Sequence, residues 1–154
     1  MRSIKITIPF TPKPKASVRF KKVFYNPSNK GMGALRSLVD ANLAEDWEQL
    51  EGPLFVISHY RMPVPKHTHT AKKKRLHCTP HAKKPDGDNL EKFLNDAFKG
   101  LLWKDDAQIS WLLRSKTHTS ELKGEIVLYV REMGEGKIDY SFMLEDIEKH
   151  IKVE

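Results

Sequence analysis

The sequence has a single cysteine, Cys78, among 154 residues. That excludes an internal disulfide framework and fits a reducing, cytoplasmic setting. Long apolar runs are missing too: nothing approaches the roughly 20 residues that span a bilayer. The start MRSIKITIPF lacks the apolar core of a signal peptide, so no membrane partner is expected. Internal repeats and a separating linker are also absent, so the length favours one domain over 1–154 with a modest core.

The most telling scarcity is of acid. Residues 1–39 hold nine Lys/Arg and no Asp or Glu. Residues 52–85 hold eight, again without acid, together with five of the seven His. These two stretches carry +17, which leaves −10 for the remainder against a net +7. A basic part set against an acidic part points to a polyanion-binding face. Solvated, lysine-rich loops are the plainer alternative.

Hydrophobic periodicity outlines the elements. SIKITIPF alternates Ile4, Ile6 and Ile8 with polar residues and predicts a strand. Residues 11–33, rich in Pro, Lys and Gly, predict a loop. ALRSLVDANLAEDWEQLEG sets Leu35, Leu38, Val39, Leu43, Trp47 and Leu50 largely on one helical face, ended by Gly52 and Pro53. PLFVISHYRM predicts a second strand, and 63–87 a basic loop with room for a short helix. After Asp88, Leu90, Phe93, Leu94, Ala97, Phe98 and Leu101 form one buried stripe of a helix. QISWLLRSKTH and GEIVLYVRE predict two more strands around a turn at 120–124. An amphipathic helix within 138–152 closes the chain. The order β-α-β-α-β-β predicts an α+β domain, a mixed four-stranded sheet with helices packed on it.

The chemistry concentrates in KKPDGDNLEKFLNDAFKGLLWKDDAQI, residues 83–109, whose 86–109 portion is the candidate catalytic motif. Two aspartates two apart on an extended segment point to the same side, so Asp86 and Asp88 are able to share a ligand. Asp88 also occupies an expected N-cap position, its purely structural reading. Lys92, one turn on, projects from the same exposed face. Asp105 and Asp106 enter a strand pointing to opposite faces, so one of them is able to join the pair. Geometry alone does not choose which. Three carboxylates without histidine suit a hard divalent cation, Mg²⁺ or Mn²⁺. A lysine and a basic surround suit a phosphodiester, whose phosphoryl oxygen such a metal polarises while it supplies hydroxide.

At these residues the sequence resembles the RusA family of Holliday junction resolvases, crossover junction endodeoxyribonucleases often carried by phages and prophages. The pattern P-D-x-D-N-x-x-K, then D-A-x-x-G, then W-x-D-D-x-Q reads here as Pro85-Asp86-Gly87-Asp88-Asn89, Lys92, Asp96-Ala97, Gly100, Trp103, Asp105-Asp106 and Gln108. The opening IPFTPKPKASVRF is also similar to family N-termini. The resemblance implies metal-binding catalytic carboxylates at Asp86, Asp88 and Asp106, with Lys92 as catalytic lysine, and so favours Asp106 over Asp105. Asn89, Asp96 and Asp105 become supporting candidates. It further implies a homodimer that uses Mg²⁺ or Mn²⁺ to nick two symmetry-related strands of a four-way junction or other branched DNA. The DNA-binding candidates are Lys13, Lys15, Arg19, Lys72, Lys73, Lys74, Arg75, Lys83 and Lys84. Gly87 departs from the larger apolar residue usual between the two aspartates, an expected source of looseness.

Three other readings compete. A PD-(D/E)xK nuclease would pair Pro85-Asp86 with Glu121-Leu122-Lys123, although that triplet falls at a turn. A zinc module would use His67, His69, His77, Cys78 and His81, against a single Cys and lysine-rich surroundings. A DNA-binding module without catalysis explains the charge but leaves Asp86, Asp88 and Asp106 as a cost on a DNA face.

Overall fold

Strand β4 (Leu54–Pro63) is buried for its first seven residues, so both of its faces must be covered. Its neighbours follow from that. β6 (Glu125–Glu132) pairs antiparallel along one edge and β5 (Ile109–Thr119) parallel along the other. β1 (Ser3–Ile8) adds antiparallel to β6, giving a mixed sheet in the order β1-β6-β4-β5. The parallel step from β4 to β5 requires a crossover, and residues 64–108 supply it with the helices α2 (Thr70–Leu76) and α3 (Gly87–Phe98). This is the α+β fold with a mixed four-stranded sheet that the pattern predicts. The computed structural model describes residues 1–16, 19–20, 24–25, 28–138 and 140–150, with the short paired strands β2 (Arg19–Phe20) and β3 (Phe24–Tyr25) as backbone only.

One face of the sheet buries Leu54, Val56, Tyr60, Leu128 and Val130 against α1 (Asn29–Asp40) and α3. The Leu90, Phe93, Leu94, Ala97 and Phe98 stripe of α3 lies in this cluster, as its spacing predicts. The opposite face gathers Phe55, Ile57 and Tyr129 under Met143 of α4 (Ser141–His150). The last part of the predicted 138–152 helix lies outside the described residues. Among the described residues no helix is long and apolar enough to cross a membrane.

The first helix departs from expectation. It spans Asn29–Asp40 rather than 34–50, so it begins inside the predicted loop and ends early. A Cβ on Gly31 would stand 3.2 Å from the Phe93 ring, so glycine there lets α1 approach α3. Leu43 and Trp47 still pack against the core, but from a non-helical turn whose apolar spacing imitates a longer helix. The Trp47 indole donates to the Leu101 carbonyl at 3.1 Å. The Arg36 guanidinium donates to the carbonyls of Ala97, Lys99 and Gly100, placing a cation at the negative end of α3.

Candidate active site

Asp86 and Asp88 stand at the N-terminal end of α3, both exposed. Asp86, not Asp88, is the N-cap residue, with extended φ −67° and ψ 142°, and its side chain makes no cap bond. Asp88 lies in the first turn. Its Oδ2 is 3.6 Å from Lys92 Nζ, and both side chains are more than 60% exposed (61% and 63%). An i,i+4 pair in water contributes a few tenths of a kcal/mol at most, so stability does not account for these charges. The helix N-terminus supplies partial positive charge that tolerates the two acids.

Strand β5 fixes this end. Lys116 Nζ donates to the carbonyl of Lys83 at 2.6 Å and of Pro85 at 2.7 Å. A Cβ on Gly87 would lie 2.6 Å from Arg114 Nε and 2.9 Å from its Cζ. Gly87 therefore admits the Arg114 guanidinium against the turn. Arg114 and Lys116 are cations of the site that the motif reading missed. Their signal was the strand period, which sets residues two apart on one face.

Beyond the other end of α3, Gly100 turns the chain at φ 76°, in the left-handed region that favours glycine. The fully buried Trp103 follows and donates from Nε1 to Asp106 Oδ1 at 2.9 Å. Asp105 has a structural task. It accepts from Ala107 N at 2.9 Å and completes a capping box with Gln108 around a 3-10 turn (Asp106–Gln108). It also meets Lys99 Nζ at 2.6 Å. That hydrogen bond, with the Ala107 N–H, holds the Asp105 carboxyl below the usual range, and the same contact raises Lys99.

The two ends of α3 are far apart. At about 1.5 Å per residue, the ten residues from Asp88 to Phe98 span about 15 Å. Ligands of one Mg²⁺ at about 2.1 Å each lie within about 4 Å of one another. Asp86 and Asp88 offer oxygen donors of the right kind, and so does Asp106, but a single chain does not bring all three to one ion. Among the described residues no three His, Cys, Asp or Glu side chains form a group able to hold a metal. That also removes the zinc module: His69 caps α2, His77 accepts from Ser120 N at 3.0 Å, and the His81 and His118 rings meet tilted at 53° with centroids 4.6 Å apart. Glu121 and Lys123 are exposed in the turn between β5 and β6.

The basic stretches divide. Lys72, Lys74 and Arg75 are exposed on α2, and Lys83 and Lys84 beside Asp86. Lys73 bonds the Lys66 carbonyl at 3.0 Å. In the first stretch several cations have internal partners. Lys15, a DNA-binding candidate, pairs with the supporting candidate Asp96, and its main-chain N–H bonds the carbonyl of a second supporting candidate, Asn89, at 3.0 Å. Arg2 forks onto Glu132 and two main-chain carbonyls. Lys13 lies over the Phe10 ring at 5.5 Å. The Arg19 side chain lies outside the described part.

Between the two ends of α3 sits a buried acid. Glu91 is 4% exposed and its Oε2 accepts from Ser58 Oγ and Tyr60 Oη, both at 2.7 Å. Its Oε1 has no hydrogen-bond partner. Burial raises the carboxyl, against the opposing pull of the two hydroxyls and Arg114. Glu91 thus binds α3 to β4 from the core side while Lys92, the next residue, faces water.

A family model described as endodeoxyribonuclease RusA matches residues 9–130, a span that contains α3, both aspartate pairs, Lys92, Arg114 and Lys116. No curated protein matches the chain.

Proposed function

The chain belongs to the RusA endodeoxyribonuclease family, and from that premise we propose that it resolves four-way DNA junctions by paired symmetric nicks, as a homodimer dependent on Mg²⁺ or Mn²⁺. The observation that carries this reading is the exposed end of α3. There Asp86, Asp88 and Lys92 share a water-facing surface with Lys83, Lys84 and Arg114. Acids on a cationic face that contribute little to stability are explained by a phosphodiester that needs both charges.

In this reading the cations of α2 and of 83–84 hold phosphates of the arms, a term independent of base sequence. Lys92 places its ammonium beside the scissile phosphate and offsets the charge that develops on its oxygens. Arg114 and Lys116 hold the turn that carries Asp86 and Asp88. When bound, a divalent ion would polarise the phosphoryl oxygen and lower the pKa of a bound water. Asp86, Asp88 and Asp106 are its proposed ligands.

The test is a nuclease assay on four-way, three-way and linear duplex DNA with Mg²⁺, Mn²⁺ or chelator. The expected result is metal-dependent nicking at symmetric positions of the four-way junction, with linear duplex spared. Equal cutting of linear duplex would sink the junction reading, and junction binding without cutting under all conditions would favour a non-catalytic DNA-binding module.

A further inference from the structure

We propose that His81 and His118 form a phosphate-binding site that takes up a proton when branched DNA binds. This rests on the reading of the surrounding face as DNA-binding, and it adds two contacts and a pH sensitivity to that face. Neither histidine belongs to the aspartate motif. Their placement comes from the strap of chain that runs from α2 to Asp86.

The strap lies along β5, the last strand of its sheet. Pro80 and Thr117 form an antiparallel bridge. Around it His81 N donates to the Lys116 carbonyl, His118 N to that of Thr79, and Cys78 N to that of His118. In that register His81 stands opposite Lys116, and His118 lies two residues further along the strand. All three side chains therefore share one face. It is the face that carries the turn before Asp86, because Lys116 Nζ donates to the carbonyls of Lys83 and Pro85. The two imidazoles meet there with centroids 4.6 Å apart, each half-buried. Among the described residues neither Nδ1 has a hydrogen-bond partner.

The charges that act on the rings are positive. Lys116 acts on both from the strand, and Lys83 on His118 from the strap. The β4 residue beside His118 is the uncharged Met62, and His77 at the end of α2 is engaged by Ser120 N. No carboxylate completes a three-residue group with the two rings among the described residues. Burial first, then His118 and Lys116 for His81 and the two lysines for His118, holds both imidazoles below the ordinary 6.5. The carbonyls of His81 and Lys83 oppose this only in part for His81. A charged ring here thus needs an anion from outside. Residues 52–85 hold eight Lys/Arg and no acid, and Lys83 and Lys84 are exposed, so a DNA phosphate is drawn to this strap. Its charge favours the protonated imidazole. Two like charges at 4.6 Å repel, which limits the gain to about one proton per chain. The sign follows from linkage: affinity is flat above the raised, DNA-bound pKa and grows as pH falls through it toward the lowered free value.

Binding of a four-way junction in chelator, where no strand is cut, tests this between pH 5.5 and pH 8.5 at fixed salt. Wild type should gain up to about tenfold in affinity for each unit that pH falls through the neutral range, the slope of one proton. His81→Gln/His118→Gln cannot take that proton. Its slope should be smaller by up to about one, and the gap between the two proteins should narrow as pH rises. Other histidines titrate in both proteins, so the difference between them isolates this pair. Calorimetry of the same binding at pH 6.5, in two buffers of different ionisation heat, should show the variant taking up fewer protons, by up to about one per chain. Equal slopes and equal proton uptake would overturn the inference. Should the double variant lose its circular dichroism, wild type decides alone. The ring Cε1–H signals of His81 and His118, sequentially assigned by NMR, should move to higher titration midpoints when the junction is added in chelator. Midpoints that DNA leaves in place would overturn the inference equally. Wild type that binds no junction at any pH would instead sink the DNA-binding reading of this face.

Discussion

Lys116 holds the main chain of Pro85, its ammonium donating to that carbonyl at 2.7 Å from the neighbouring strand. With the matching bond to Lys83 at 2.6 Å, it fixes the turn from which Asp86 and Asp88 project. Lys116→Met keeps the stem and removes both bonds. Nicking should fall at least about tenfold, equivalent to about 1.4 kcal/mol, while junction affinity changes much less. A structural role alone would lower binding and nicking together, so the ratio of the two measurements decides.

Asp105 and Asp106 should separate cleanly. Asn at 105 still accepts from Ala107 N and remains a good cap, so Asp105→Asn should nick at near wild-type rate and lose under about 1 kcal/mol in urea unfolding. Asp106→Asn should lose several orders of magnitude in rate, because members of a catalytic unit act together. Junction binding by that variant should be kept or strengthened. The reverse pattern would transfer the role to Asp105 and undo the assignment.

The tie between those neighbours shows what the sequence carried. Spacing alone placed the α3 stripe and the four strands, because periods of 3.6 and 2 report directly on which side faces a core. The resemblance favoured Asp106; the structure engages both neighbours, Asp105 in a capping box and Asp106 as acceptor of the Trp103 indole N–H. Two things were not legible. Leu43 and Trp47 look helical by spacing yet reach the core from an irregular turn, since packing fixes where a side chain ends and not the backbone that delivers it. Arg114 and Lys116 lie more than twenty residues from Asp86 in sequence, and only the parallel crossover from β4 brings them to it.

Lys92 should prove sensitive to shape as well as charge. It stands within 3.6 Å of Asp88 at the water-facing end of the site. Lys92→Ala should lose catalysis with little change in junction affinity. Lys92→Arg should recover only part of it, since a planar fork does not replace a compact ammonium. Full activity in Lys92→Ala would reduce this lysine to a solvated surface charge.

The cationic helix α2 should act through phosphates alone. Lys72, Lys74 and Arg75 are exposed, whereas Lys73 is occupied by the Lys66 carbonyl. Neutralising the three exposed cations should weaken binding on every DNA sequence. It should also flatten the plot of log affinity against log salt by about 0.9 for each duplex phosphate that the protein no longer neutralises. Adding Lys73→Gln should change the slope less than any of the three. An unchanged slope in the triple variant would mean that α2 does not touch DNA.

Glu91 gives a pH signature of α3 docking. Burial raises its carboxyl in the folded state, opposed by the bonds from Ser58 and Tyr60. The folded chain therefore binds this proton more readily than the unfolded chain. The sign follows from linkage: the contribution of Glu91 is fully present below the ordinary carboxylate pKa of 4.5 and is lost as pH rises through the raised folded value. Glu91→Gln mimics the protonated form and cannot ionise. Its amide oxygen still accepts from a hydroxyl, so the fold should persist. Histidines 59, 81 and 118, whose pKa values burial lowers, act in the opposite sense in both proteins. The difference between variant and wild type therefore isolates Glu91. In urea unfolding from pH 4 to pH 8, Glu91→Gln should be the less stable or equal at the acid end and gain steadily on wild type as pH rises. A difference that stays constant with pH would mean that Glu91 titrates alike in both states, and a difference that falls would mean that its two hydroxyl bonds outweigh burial and hold it ionised.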